Sequence, residues 1–162
     1  MIHKLLDSFV EDEAQAHCDI PCGIYDPHLA QVAALTVVRM VDLMTDLDAA
    51  HKEIDLEFRN SIIRYVAVKE EHAELCKREV RVIFGDYIKK EHIDKFPELP
   101  ELVHKIFQAG SKARQTANRA NAMELLTLVN RFAEIFWATK GVATKRAKAP
   151  YKPSEEVVYP VL

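Results

Sequence analysis

The stretch NRANAMELLTLVNRFAEIFWATKG, residues 118–141, decides the fold class. Ala122, Leu125, Leu126, Val129, Phe132, Ala133 and Phe136 return at intervals of three and four. That spacing lines them along one face of an α-helix. Gly141 follows where a helix is closed by a residue that takes positive φ. The pattern predicts a helix over 118–140, and three more segments share it. A helix over 98–115 turns Leu102, Val103, Ile106 and Phe107 inward. Asp26-Pro27 opens another, since Asp caps well and Pro suits the first helical position. Its stripe is Leu29, Val32, Ala33, Val37, Met40, Met44 and Leu47, with a turn from Asp46 to His51. The longest pattern covers 52–89 through Asp55, Phe58, Ile62, Tyr65, Lys69, Ala73, Cys76, Val80, Ile83 and Tyr87. Asp55 and Lys69 interrupt it, and Gly85 is tolerable near its end. Lys90 to Pro100 reads as a connector with two prolines.

Four amphipathic helices with short connections predict an all-α fold, an antiparallel four-helix bundle over 27–141. The tail, 142–162, differs. It holds three prolines, a basic cluster (Lys145, Arg146, Lys148) and the apolar run Val157, Val158, Tyr159. It is expected to lie extended on a neighbouring subunit, with disorder as the alternative.

At 162 residues the chain suffices for one domain with a real core. Only four glycines suit helices better than a turn-rich sandwich. No apolar run approaches the ~20 residues of a membrane span, so no membrane partner is expected. The net charge is −3. Residues 1–16 set Lys4 against Asp7, Glu11, Asp12 and Glu13, which accounts for all of it. Residues 17–162 therefore sum to zero, with no basic field for nucleic acid. Attraction of an anionic substrate must come from a local patch. Three cysteines, one of them (Cys76) on an apolar helical stripe, argue against a disulfide framework. An intracellular, cytoplasmic chain is expected, with Cys18 and Cys22 kept for metal or redox chemistry.

The chemistry concentrates in AHCDIPCGIYDP, residues 16–27. His17, Cys18 and Cys22 are three strong ligands within a short loop that Pro21 and Gly23 can curl; a cis Ile20-Pro21 bond would serve that turn. Thiolates and imidazole suit nickel, copper and zinc, yet one His and two Cys leave a tetrahedral zinc site incomplete. Residues 1–16 end Ala14-Gln15-Ala16, a small-x-small pattern, but lack the apolar region of a secretory signal. They read as a frayed helix or as a propeptide. A cut after Ala16 would free the amine of His17. An internal peptide nitrogen is delocalised into its carbonyl and offers no amine. After the cut, that amine and the deprotonated amide of Cys18 would join the two thiolates. The resulting square-planar N₂S₂ set favours nickel(II) or copper(II), with the His17 imidazole as an axial fifth ligand.

His17-Cys18-Asp19-Ile20-Pro21-Cys22-Gly23-Ile24-Tyr25-Asp26-Pro27 resembles the nickel hook of the nickel superoxide dismutase family. The resemblance continues through Lys69-Glu70-Glu71-His72-Ala73-Glu74-Leu75, Asp86-Tyr87, Pro97-Glu98-Leu99 and Ile135-Phe136-Trp137, covering about 17–140. It implies a leader over 1–16 removed by a processing protease, a hook over 17–26, and one nickel ion per subunit on His17, Cys18 and Cys22. It implies a homohexamer of four-helix bundles. It also implies dismutation of superoxide to oxygen and hydrogen peroxide through Ni(II)/Ni(III) cycling, as antioxidant defence. Tyr25 would stand at the open face, with Asp19 and the hook amides holding the pocket. Family members brace the axial imidazole with a Glu and an Arg; the matching positions here are Ala33 and His72, so His72 is expected to supply part of the brace.

Other readings stay open from the residues alone. A ferritin-like di-iron site would want two Glu-x-x-His pairs, and only Glu101-x-x-His104 is in a helix, with Asp48-x-x-His51 in a turn. A zinc- or copper-binding interaction protein, or a Cys18–Cys22 redox pair, would not need a free His17 amine. Cys76 reads as a core residue, and His3, His51, His92 and His104 as surface.

Overall fold

The computed structural model describes residues 23–51 and 53–162. The leader, His3 and the hook positions His17, Cys18, Asp19, Pro21 and Cys22 lie outside the described residues.

Helix α1 spans His28–Ala50. Asp26 acts as the expected cap, its Oδ1 accepting from the His28 N–H at 2.7 Å, and Pro27 takes helical φ and ψ. The helix runs through the turn expected at Asp46 to His51. Its inward face is Ala30, Ala33, Ala34, Val37, Val38 and Val41, so the predicted stripe was rotated. Leu29, predicted inward, is 53% exposed. Apolar residues surround most of this helix, and periodicity alone could not select the face.

Helix α2 spans Leu56–Val82. Asp55, which interrupted the predicted stripe, is its cap; Oδ1 accepts from Phe58 N–H at 2.8 Å. Phe58, Ile62 and Tyr65 are only half-buried, and burial begins at Lys69. The pattern does not continue as α-helix to 89. Ile83–Tyr87 form a π-helical turn closed by Ile88 N–H on Ile83 O at 3.1 Å. Such widened turns re-aim side chains and recur at functional sites.

The expected connector contains a short helix, α3, Lys90–Lys95. Helix α4 spans Leu99–Gln115 and α5 spans Arg119–Thr139, close to expectation. Among the inward residues predicted for α4, Leu102, Val103 and Ile106 are buried and Phe107 is half-buried. All seven predicted inward residues of α5 are buried, joined by Ile135. Gly141 has φ +71°. Its N–H bonds Ala138 O and the Val142 N–H bonds Trp137 O, which closes α5 in a Schellman motif. Helix α1 packs on α2 and α5, and α4 packs on the same two.

The second interruption, Lys69, is 3% exposed. Its Nζ donates to Ala113 O at 3.0 Å, to Thr116 O at 2.9 Å and to Arg114 O. It therefore satisfies carbonyls that the C-terminus of α4 would leave orphaned. Burial lowers the ammonium pKa, with Glu70 acting against that.

The fold is mostly helical but not all-α. Strands β1 (Thr144–Lys148) and β2 (Glu156–Pro160) pair antiparallel, Arg146 opposite Val158. This hairpin packs on its own chain rather than trailing away. Ala149, Val157 and Val158 are buried. Gln31, itself buried, donates through Nε2 to Asn130 Oδ1 and Val158 O, both at 3.1 Å. Asn130 Nδ2 donates to Glu156 O at 2.8 Å. Two carbonyls of β2 are thus held by side-chain amides, as a third strand would hold them. Arg146 pairs with Glu134, and Arg119 with both Asp42 and Glu155.

Candidate metal centre

The described chain enters at Gly23, whose φ is +72°, a conformation glycine adopts without a Cβ penalty. Tyr25 follows, half-buried, its ring centroid 5.5 Å from that of Tyr87. Tyr87 reaches it because the π turn ends there. Tyr87 also stacks on His92 at 5.2 Å and tilts against Phe136 at 5.1 Å. His92, expected at the surface, is therefore part of this cluster.

Hydrogen bonds fix the Tyr87 ring. The Thr139 hydroxyl donates to Phe136 O at 2.6 Å. Its single proton is then committed, so the Tyr87 hydroxyl donates to Thr139 Oγ1, at 2.7 Å. Lys140 Nζ stands 4.6 Å from the Tyr87 ring centroid and 5.2 Å from that of Phe136. Cation–π attraction holds it there. Neither Thr139 nor Lys140 was singled out from sequence, because each closes a helix in a way no motif marks.

Beside this cluster is a pocket of about 110 Å³ between residues 24–26 and the end of α2. Tyr25, Asp26 and Leu29 form one side; Glu79, Val82 and Ile83 form the other. His72 does not line it. That residue is half-buried, and its Nδ1 is 2.9 Å from Val68 O, an acceptor one turn earlier. Ala33 is 1% exposed and offers only a methyl group. Cys76 is fully buried, and burial, helped by the charge of Glu79, pushes its thiol up to about 12. It is inert at neutral pH.

Among the described residues no three His, Cys, Asp or Glu side chains stand together to hold a metal. Glu101 and His104 are exposed on α4. No described helix is long and apolar enough to cross a membrane. The candidate ligands read from the sequence, His17, Cys18 and Cys22, lie outside the described residues. Cys22 directly precedes the Gly23 turn that leads into Tyr25 and the pocket. Two thiolates and an imidazole within six residues of sequence fit nickel by their donor chemistry.

A Cys- and His-bearing segment running into a tyrosine-lined pocket on a helical frame is the order of parts of a metal-dependent oxidoreductase. The sequence model of nickel-containing superoxide dismutase matches residues 12–140. "Superoxide dismutase [Ni]" of Streptomyces coelicolor is 36% identical over 125 residues, 77% of this chain and 88% of that protein. Its counterpart from Streptomyces seoulensis is 36% identical over 128 residues, 79% and 91%. A native nickel superoxide dismutase crystal structure superposes with a TM-score of 0.66 at 35% identity, covering 76% of this chain and 99% of that one. An apo structure of nickel superoxide dismutase gives 0.64 at 32%, covering 73% and 98%. The chain belongs to the nickel-containing superoxide dismutase family, a family of oxidoreductases whose cofactor is nickel. The β-hairpin lies past residue 140, where the family match ends.

Proposed function

We propose that the mature chain begins at His17, binds one nickel ion per subunit and disproportionates superoxide in the cytoplasm as antioxidant defence. The observation that carries this reading is the family match, which includes the candidate ligands of residues 17–22, just ahead in sequence of the residues 24–26 that line the pocket. The His17 amine and imidazole, the Cys18 amide nitrogen and both thiolates would hold the metal, with Asp19 and Pro21 shaping the segment. When bound, nickel would supply one-electron exchange between Ni(II) and Ni(III), the chemistry by which two superoxide anions and two protons become oxygen and hydrogen peroxide. Anionic thiolate and amide donors suit the more highly charged ion.

The protein's own groups serve that exchange. Tyr25 narrows the opening and offers a hydroxyl to an incoming anion. Tyr87, locked by Thr139, backs the Tyr25 ring. Lys140 adds positive charge beside them in a chain whose residues 17–162 carry none in net, which favours encounter with an anion. His72 remains a candidate for the imidazole brace.

We further propose the family's assembly, a homohexamer of four-helix bundles with the leader removed by a protease. Ile24, 71% exposed, and Leu29 flank the pocket, and Ile54, Leu56 and Ile63 are exposed toward the far end. Apolar clusters left in solvent mark contact surfaces. The packing of α1, α2, α4 and α5 on one another supports the bundle.

The test compares a chain starting at His17 with one carrying an added alanine before it, by nickel content and by stopped-flow superoxide decay. Activity and one nickel per subunit are expected in the first and loss of activity in the second. Equal activity in both, or nickel binding in neither, overturns the reading.

A further inference from the structure

The hairpin past residue 140 presents its two edges differently. Val161 N–H bonds Ala143 O at 2.9 Å and Ala149 N–H bonds Glu155 O at 3.0 Å, with Arg146 opposite Val158 between them. In an antiparallel ladder the bonded residues alternate along each strand. Lys145 and Ala147 therefore bond β2, and Thr144, Arg146 and Lys148 turn their N–H and C=O groups the other way. The same alternation turns Glu156 and Val158 outward on β2, where Asn130 and Gln31 take their carbonyls. That edge is covered by helices. On the β1 edge no described residue bonds the backbone N–H or C=O of Thr144, Arg146 or Lys148. Lys145, Arg146 and Lys148 are exposed there. Such a row of open groups is a template for one more strand.

Charge says what the edge accepts. Arg146 commits its guanidinium to Glu134. Lys145 and Lys148 pair with no described acid, although Glu156 lies opposite Lys148 in the register. Being three residues apart on a strand, the two lysines flank the edge on its opposite faces. An antiparallel second copy of β1, bonded through the same groups, would set Arg146 against Arg146 and add two more lysines, which like-charge repulsion opposes. A strand with acids opposite Lys145 and Lys148 reverses that sign. It would bring each carboxylate to cross-strand distance of an ammonium group. In strand addition the main-chain bonds supply affinity and the facing side chains supply selectivity.

We propose that the open edge of β1 is a docking site for an extended acidic peptide segment, added antiparallel, with one acid opposite Lys148 and a second, three residues on, opposite Lys145. The strand that forms the site lies past the family match, and the inference does not rest on the nickel reading.

The experiment uses the full chain and the probe peptide Val-Glu-Val-Thr-Glu-Val, blocked at both ends and offered up to millimolar concentration. Binding is read by fluorescence anisotropy of a labelled probe and by hydrogen exchange. The amides of Thr144, Arg146 and Lys148 should gain protection, while those of Lys145, Ala147 and α5 stay as they were. N-methylation of the second and fourth probe residues, whose amides face the edge, should abolish binding. N-methylation of the third and fifth, whose amides face away, should leave it intact. A probe with glutamine for glutamate should bind roughly tenfold more weakly, and so should the probe to a Lys145→Gln, Lys148→Gln double variant. Proline is tolerated in an edge strand where its nitrogen faces solvent. Arg146→Pro should therefore keep the hairpin and bind roughly tenfold more weakly than Arg146→Ala, which loses the same ion pair with Glu134 but keeps the N–H. No protection at millimolar probe, or equal binding of the two N-methylated probes, overturns the proposal; neither result depends on a variant folding. A short single-stranded DNA that displaces the probe with equal affinity overturns it too, because the surface would then read charge alone. Assembly that grows with concentration, is lost in Arg146→Pro and ignores the probe would overturn it in favour of a second copy.

Discussion

The two ends of the described chain approach the same helix in different ways. At the start of α1, residues 24–26 face a pocket whose far wall is α2. One turn further along, the C-terminal hairpin meets α1 through Gln31, in a contact where amides answer backbone carbonyls. The first contact leaves space, with Glu79 in its far wall. The second pairs Val158 O and Glu156 O with the side-chain amides of Gln31 and Asn130. The difference separates two tasks. Reactive residues gather where packing is incomplete, and the neighbouring end is fixed by the bonds that side-chain amides make to its carbonyls. The fixed end is also the part that extends past the family match.

The sharpest way to break that division is Cys22→Ser in the chain starting at His17. Serine is a poor ligand for nickel, so metal content and superoxide decay should fall to background. Thermal unfolding of the metal-free protein should be unchanged. A large loss of stability would show that the hook also holds the fold. The converse is Asn130→Ala. It strips Glu156 O of its donor and Gln31 of an acceptor, at a cost of about 2 kcal/mol. The melting temperature should drop by roughly 4–8 °C, with one nickel per subunit retained. Metal loss there would join the two ends that the structure keeps apart.

A smaller effect sharpens the same comparison through pH. Burial works to raise the Glu134 carboxyl, but hydrogen bonds from Arg146 and Arg131 outweigh it and hold the pKa below its ordinary 4.5. Its folded value is depressed, so its contribution is present above 4.5 and is lost as pH falls through the folded value. The pair with Arg146 is partly exposed, worth less than about 1 kcal/mol. Once intrinsic rates are divided out, the protection of β1 amides from hydrogen exchange should fall modestly below pH 4.5, and more so than in the core of α5. A uniform fall in protection would mean that the hairpin has no clamp of its own.

How legible was this molecule in its residues? Helix α5 could be read because one face alone is apolar. Helix α1 could not be oriented, since Leu29 continues the apolar pattern yet points to solvent. Asp55 and Lys69 looked like flaws in a stripe and prove to be caps, one for its own helix and one for the end of α4. A polar residue that serves a distant segment leaves no local periodicity. The hairpin was hidden for a related reason. TKRAK lacks strand alternation, and β2 is held by Gln31 and Asn130, contributed by two helices far away in sequence. The candidate ligands stand out as a motif in the sequence and lie outside the described residues. Glu79, Thr139 and Lys140 were not, because each gains its place from the π turn and the helix ends rather than from spacing.

Cys76 bears on the durability of a protein that makes peroxide. The proposed reaction releases an oxidant of thiolates in a chain with three cysteines, two of which must stay deprotonated to work. A thiol held at about 12 presents almost no thiolate at neutral pH, and full burial denies peroxide a path to it. Oxidative wear is thereby confined to the hook. An aged molecule should carry its damage at Cys18 and Cys22 while Cys76, inside the helices, stays reduced until the fold itself opens.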